Sequence, residues 1–312
     1  MATLNRDGAP TRALLTLALV LLLPGGVGCG GRDPADPAYV TEIDAWHAGR
    51  VARLTDETGW LTLVGLHPLR EGDTVVGSGA GADVRLVAKA PERLGRISVR
   101  PDGSVDFRAE SGAGVMSFAA GGYGPVDSLA LATDATGEAT VLATGSLLMH
   151  VIDRGGQLFL RVKDREADAL RTFSGIERFP VDPRWRVVAR IEPGPATVPV
   201  PNVLGQVTDE PSPGTLVFTL AGRACRLTPT GDPAEGLFIV FGDATNGPQT
   251  YAGGRFLSTG PAAADGTVVL DFNKAVNPPC AFSDYATCPL PAPGNTLPVD
   301  VRAGEMRWGP GH

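Results

Sequence analysis

Apolar and polar residues alternate in short runs along most of the chain, and one stretch alone repeats its apolar positions at helical spacing. In residues 39–55, Val40, Ile43, Trp46 or His47, Val51 and Leu54 share a stripe with charged residues between them, which predicts an amphipathic helix. Thr41 with Asp44 marks its start and Gly59-Trp60 its end. Short strand-like runs follow at 61–64, 73–76, 83–87, 96–100 and 105–108, then at 129–132, 139–142, 146–152 and 157–163. A third set lies at 185–191, 202–207, 214–220, 223–227, 237–242, 268–271 and 297–302. Breaks such as Pro101-Asp-Gly103 separate them, and Asp153-Arg-Gly-Gly156 predicts a tight hairpin. A polar segment at 164–174 predicts a helical turn. The pattern is that of a mostly β protein, sandwich- or barrel-like in antiparallel sheets, with one N-terminal helix.

One stretch breaks the alternation. Asp271-Phe-Asn273 ends an apolar run, and the residues after it carry five prolines within sixteen positions, from Pro278 to Pro293. Proline lacks the amide donor and pushes its predecessor toward extended geometry, so the run is neither helix nor central strand. Its cysteines, asparagines and aspartates predict a long ordered loop, because packed proteins rarely carry such a connection without a use for it.

Gly 41 and Pro 27 exceed a fifth of the 312 residues while aromatics reach only 6%, which fits short strands joined by turns. Arg6 and Arg12 precede an uncharged apolar run of 11 residues at 13–23, too short to span a bilayer. Pro24-Gly-Gly and Val27-Gly28-Cys29 follow, and this arrangement resembles a bacterial lipoprotein signal in which Cys29 becomes the lipidated N-terminus. The organisation expected is a signal peptide at 1–28, a tether at 29–38 and a β-rich domain at 39–312, with a sub-boundary near 175–195. The mature chain then holds 25 basic and 33 acidic residues, a net of −8. The expected address is the cell envelope outside the cytoplasm, lipid-anchored, at the outer membrane of a two-membrane cell. The membrane through that anchor, a small polar ligand and an envelope component are the candidate partners; the acidic balance argues against nucleic acid.

With Cys29 lipidated, Cys280 and Cys288 form the natural disulfide for an oxidising compartment, with free or reactive thiols as the alternative. A loop of about nine residues closed this way stabilises by roughly 2.5 kcal/mol. Cys225 reads as a small buried hydrophobe. The cysteine spacing is not that of a zinc knuckle and no histidine lies in the stretch, so neither metal nor cofactor is expected. His47, His67 and His150 sit in apolar surroundings, no Gly-x-Ser-x-Gly is present, and the basic residues between Arg154 and Arg190 read as a solvated sheet face.

Several motifs recur together and in order: Gly59-Trp-Leu61, Phe179-Pro-Val-Asp182, Phe241-Gly-Asp243-Ala-Thr245, Gly254-Arg255-Phe256, Asp271-Phe-Asn273-Lys-Ala, Asn277-Pro-Pro-Cys280-Ala-Phe, Cys288-Pro-Leu-Pro291 and Ala303-Gly-Glu305. On them the chain resembles the bacterial domain of unknown function 1684 family over roughly residues 40–306. The resemblance implies a β-rich body, often secreted or lipid-anchored, and assigns no catalytic residue.

The chemistry must therefore come from the side chains. Asp243, Arg255, Asp271, Asn273 and Glu305 are the candidates for acid–base work, and Tyr251, Asn277, Asp284, Tyr285 and Asn295 for ligand contacts. Asp271 and Asn273 are two apart and share a face of an extended strand end. Two readings stand. One is a non-catalytic binding or structural module with a polar C-terminal cleft. The other is a hydrolase using Asp271 or Asp243 with Arg255 on a polar or anionic substrate, for which a cleft holding a buried carboxylate is required.

Overall fold

The computed structural model describes residues 36–119 and 122–309. The expected signal peptide, Cys29 and most of the tether lie outside the described residues. The first element is the helix Pro37–Leu54. Its start differs from expectation: the Asp36 side chain accepts from Ala38 N and Pro37 occupies the first turn, a better cap than Thr41 because proline has no amide to leave unsatisfied there. Ile43 and Leu54 are fully buried on the predicted stripe, worth roughly 1.5–3 kcal/mol each.

Two sheets pack face to face in the first half. The larger runs, in spatial order, Leu63–Pro68, Gln157–Asp164, Leu147–Arg154, Val141–Thr144, Met116–Ala119 and Gly122–Pro125. The other runs Val84–Arg85, Gly72–Gly77, Gly95–Val99, Val105–Ala109 and Ser128–Ala130, all antiparallel except the first pair. Val76, Ile97 and Phe107 from one sheet meet Leu142, Met149, Val151 and Leu160 from the other. Alternation along each strand is what places these side chains on one inner face. The hairpin predicted at Asp153–Gly156 closes on Arg154 opposite Gln157. Gly155 and Gly156 both have positive φ there, the turn whose twist matches the strands it joins.

A second core forms in the C-terminal half. A four-stranded sheet, in order Arg223–Leu227, Thr215–Leu220, Arg186–Glu192 and Thr267–Asp271, covers a three-stranded one of Thr230–Asp232, Gly236–Phe241 and Arg255–Ser258. Leu216, Phe218, Leu270, Ile239, Phe241 and Phe272 interdigitate between them. Smaller clusters around Leu54, Leu61, Ile176 and Phe282, and around Leu63, Ala286 and Cys288, join the proline-rich segment to the N-terminal helix and first sheet. Among the described residues no helix is long and apolar enough to cross a membrane.

Two predicted strands are not strands. Residues 202–206 are the turn between Thr197–Pro201 and Val207–Pro211, held by Asn202 Oδ1, which accepts from Leu204 N at 2.9 Å and Gln206 N at 3.1 Å. Asparagine competes with the ladder by bonding its own backbone. At 297–302 the alternation is real, with Leu297, Val299 and Val301 all buried. The backbone there is nevertheless not in a ladder: its carbonyl at Val301 is taken by Arg255. The region 271–295 is ordered as two short 3-10 turns, Phe272–Lys274 and Pro279–Ala281, with isolated bridges to Phe256 and Asn202.

Candidate functional site

Three polar nodes lie along the segment that follows Thr267–Asp271, and the N-terminal helix reaches two of them. The deepest is the pair Asp243–Arg255. Asp243 follows the strand Gly236–Phe241, and Arg255 opens the neighbouring strand opposite Phe241. Both side chains are fully inaccessible, with Arg255 Nη2 2.8 Å from Asp243 Oδ2. The guanidinium also donates to Ala303 O at 2.5 Å and Val301 O at 2.8 Å, and it lies over the Phe241 ring. Burial lowers the Arg255 pKa, and the Asp243 charge opposes that shift. The other Asp243 oxygen accepts from Thr245 N at 2.7 Å and Val301 N at 3.4 Å. Arginine's fork thus ties three chain segments together.

The second node joins Glu305 to the helix. Arg50 Nε donates to Glu305 Oε1 at 3.2 Å, and Asn277 N to Oε2 at 2.7 Å. Arg50 Nη2 reaches Asn277 O, and Asn277 Nδ2 donates to Met306 O. Glu305 is 1% exposed. Its burial raises its pKa, an effect opposed first by Arg50 and also by the charge of Arg255. The close approach depends on Gly304, at φ +74, where a Cβ would meet Ala275 O at 2.4 Å; Glu305 N donates to that same carbonyl at 2.8 Å.

At the third node Tyr39 donates its hydroxyl to Asp271, 2.9 Å from both carboxylate oxygens. Asn273 Nδ2 donates to the Tyr39 hydroxyl, to Asp182 O and to Asp271 Oδ1, while its own oxygen accepts from Asp182 N. Burial and the neighbouring carboxylate raise the Tyr39 pKa. Lys274 and Glu42 pair at 2.6 Å beside it.

The expected cleft is therefore not open at these groups. Asp271 meets Asn273 and Asn277 meets Glu305, in two separate nodes, where Tyr39 and Arg50 of the helix occupy the hydrogen-bonding sites a ligand would need, while Asp243 and Arg255 lie under the backbone of 301–303. The sequence pattern missed Tyr39 and Arg50 because polar residues on a helix read as its solvated side. Their spacing held the signal: they lie eleven apart, three turns, on the stripe of Ile43 and Leu54.

The other candidates are dispersed. Tyr251 packs beside Leu61, Ile176 and Phe282, where burial raises its pKa. Asp284 and Tyr285 are exposed. Asn295 lies elsewhere, bonding Thr228 N and O and Val240 O at 2.7–3.1 Å. It borders a cavity of about 250 Å³ lined also by Val200, Glu210, Phe238 and Leu290. Cys225 is buried in the second core. No three His, Cys, Asp or Glu side chains gather as a metal site among the described residues.

Cys280 and Cys288 depart from expectation. They are unlinked thiols, and each sulfur accepts the other's amide N–H, at 3.0 Å for Cys280 N and 3.4 Å for Cys288 N. Nearby, Arg161 departs from the expected solvated face. It is 5% exposed within the strand Gln157–Asp164, flanked by the buried Leu160 and Val162.

Residues 171–306 match the family model described as protein of unknown function (DUF1684). Among solved structures, the chain is similar to an uncharacterized protein of Haloarcula marismortui determined in solution by NMR. The two share 35% identity over 44% of this chain and 78% of that one, with a TM-score of 0.36. No curated protein matches. Residues 171–306 thus resemble the DUF1684 family of proteins of unknown function.

Proposed function

We propose that the protein is a lipid-anchored protein of the cell envelope whose β-rich body is a non-catalytic binding or structural module. One observation carries the choice of module over hydrolase. Asp243, Asp271 and Glu305 are each buried and each already hydrogen-bonded, two of them by the helix and the third by Arg255. A general base must come within hydrogen-bond reach of a substrate proton, and none of these carboxylates has a free approach. The anchor rests on the apolar run 13–23 and the small residues before Cys29. In this reading the partners are the membrane through Cys29 and a small polar ligand or envelope component.

Two measurements test the reading. Palmitate incorporation in a bacterial host is expected to vanish in Cys29→Ala; label that persists refutes the anchor. Assay of the purified protein against esters, phosphoesters, peptides and glycosides is expected to find no turnover. Turnover that is abolished by Asp271→Asn in a folded protein restores the hydrolase.

A further inference from the structure

Arg161 is a buried guanidinium that makes no ion pair among the described residues. Its Nη2 donates to Thr287 Oγ1 at 3.1 Å, its Nε has no partner, and the Trp60 ring lies beneath it with 5.7 Å to the centroid. The carboxylate acting on it, Asp134, is bound to Arg154 at 2.8 Å. A guanidinium taken out of water requires a counter-charge. The remaining anionic candidates in its field are the sulfurs of Cys280 and Cys288.

Those sulfurs are arranged unequally. Cys280 is partly accessible and Cys288 is buried, and the two thiols share a hydrogen bond. That hydrogen bond lowers the Cys280 pKa against the opposing effect of burial, helped by the Cys288 amide and by Arg161; the same bond, with burial, raises Cys288. Asp284 works against the thiolate, and Tyr251 is the other titratable group facing the pair. An accessible thiolate beside a cation, with a second thiol in contact, is the arrangement thiol–disulfide exchange requires.

We propose that Cys280 and Cys288 are a redox-active dithiol, with Cys280 the attacking thiolate, Cys288 the resolving thiol and Arg161 the charge that positions and holds the thiolate. The Cys280 sulfur attacks one sulfur of a disulfide RSSR and forms a mixed disulfide. The departing thiolate takes the Cys288 proton and leaves as RSH. The Cys288 thiolate then attacks the Cys280 sulfur, closing the Cys280–Cys288 disulfide and releasing RS⁻. Two electrons pass from the pair to the substrate, and a dithiol reductant reverses the reaction. The inference goes beyond the anchored module and stands independently of it.

The test uses the full chain, with each cysteine followed by peptide mass mapping. Iodoacetamide labelling of Cys280 in Cys288→Ser is expected to show a midpoint at least about one pH unit below the ordinary thiol value near 8.5. Arg161→Gln is expected to slow labelling at pH 7 about tenfold, and Arg161→Lys to restore most of it. The wild-type pair is expected to shift between dithiol and disulfide across glutathione buffers. Faster oxidation by glutathione disulfide than by an unfolded disulfide-bonded protein marks a small-molecule substrate, and the reverse order a protein one. A midpoint at or above the ordinary value in Cys288→Ser, which leaves Arg161 intact, overturns the proposal. So does a pair that stays wholly oxidised or wholly reduced across the buffers, an inert brace or an inert thiol pair.

Discussion

Replacing Asp243 by Asn removes one negative charge and almost no volume at a site with no solvent access. The amide oxygen can still accept from Thr245 N, but its NH₂ group then faces Arg255 Nη2, donor against donor. Arg255 retains the carbonyls of Val301 and Ala303, which are dipoles and not counter-charges. Breaking a buried pair on one side costs about 3–5 kcal/mol, a large share of the 5–15 kcal/mol typical of a domain. Urea unfolding followed by tryptophan fluorescence reads this as a fall in midpoint of about 1–2 M at unchanged slope. Asp243→Asn with Arg255→Gln, which removes both charges and keeps an amide oxygen for Thr245 N and an amide donor for a carbonyl of 301–303, is expected to recover part of the loss, because much of the penalty lies in the orphaned ion. A single variant within about 0.5 kcal/mol of wild type refutes the reasoning. A variant of undiminished stability that loses a measurable activity makes Asp243 functional instead.

Burial, with the charges of Arg161 and Lys163, lowers the His150 pKa to about 4. Its folded pKa lies below the unfolded value, so its contribution is present above about pH 6.5 and lost as pH falls toward 4, up to about 3 kcal/mol. Chemical denaturation across that window is expected to show a slope that His150→Gln flattens; an unchanged slope counts against it. Arg50→Ala leaves Glu305 buried with one amide N–H, at a cost of about 3 kcal/mol at neutral pH. With Glu305 pushed further up, the folded state binds its proton more tightly, so part of the loss returns as pH falls below neutral. Amide exchange in 37–54 is expected to speed in this variant, and unaltered protection there would separate the helix from the Glu305 node. Asn295→Ala strands Thr228 N and the carbonyls of Thr228 and Val240, a loss of about 2–3 kcal/mol by thermal unfolding; a change below about 0.5 kcal/mol refutes the assigned role.

The β class, the N-terminal amphipathic helix and the positions of many strands were legible because alternation and turn residues act locally. Arg223–Leu227 and the hairpin at 153–156 needed nothing beyond neighbours in sequence. The same rule misled at 202–207, where Asn202 offers the backbone a competing partner, and at 297–302. The inward side chains of that second stretch obey alternation while Arg255 binds its carbonyl at Val301. The Gly122–Pro125 strand escaped notice because a glycine-rich run has no alternation to read.

What the sequence determined by itself was the periodicity of each element and the set of polar residues clustered in the last third. Which of them meet was decided by folding, since contacts such as Tyr39 with Asp271 and Arg50 with Glu305 span most of the chain. Local pattern registers whether a side chain points inward, not which charge it finds there. Arg161 shows the difference: its place between Leu160 and Val162 is written in the strand, and its nearness to Cys280 and Cys288 exists only once the proline-rich segment has packed against the first sheet.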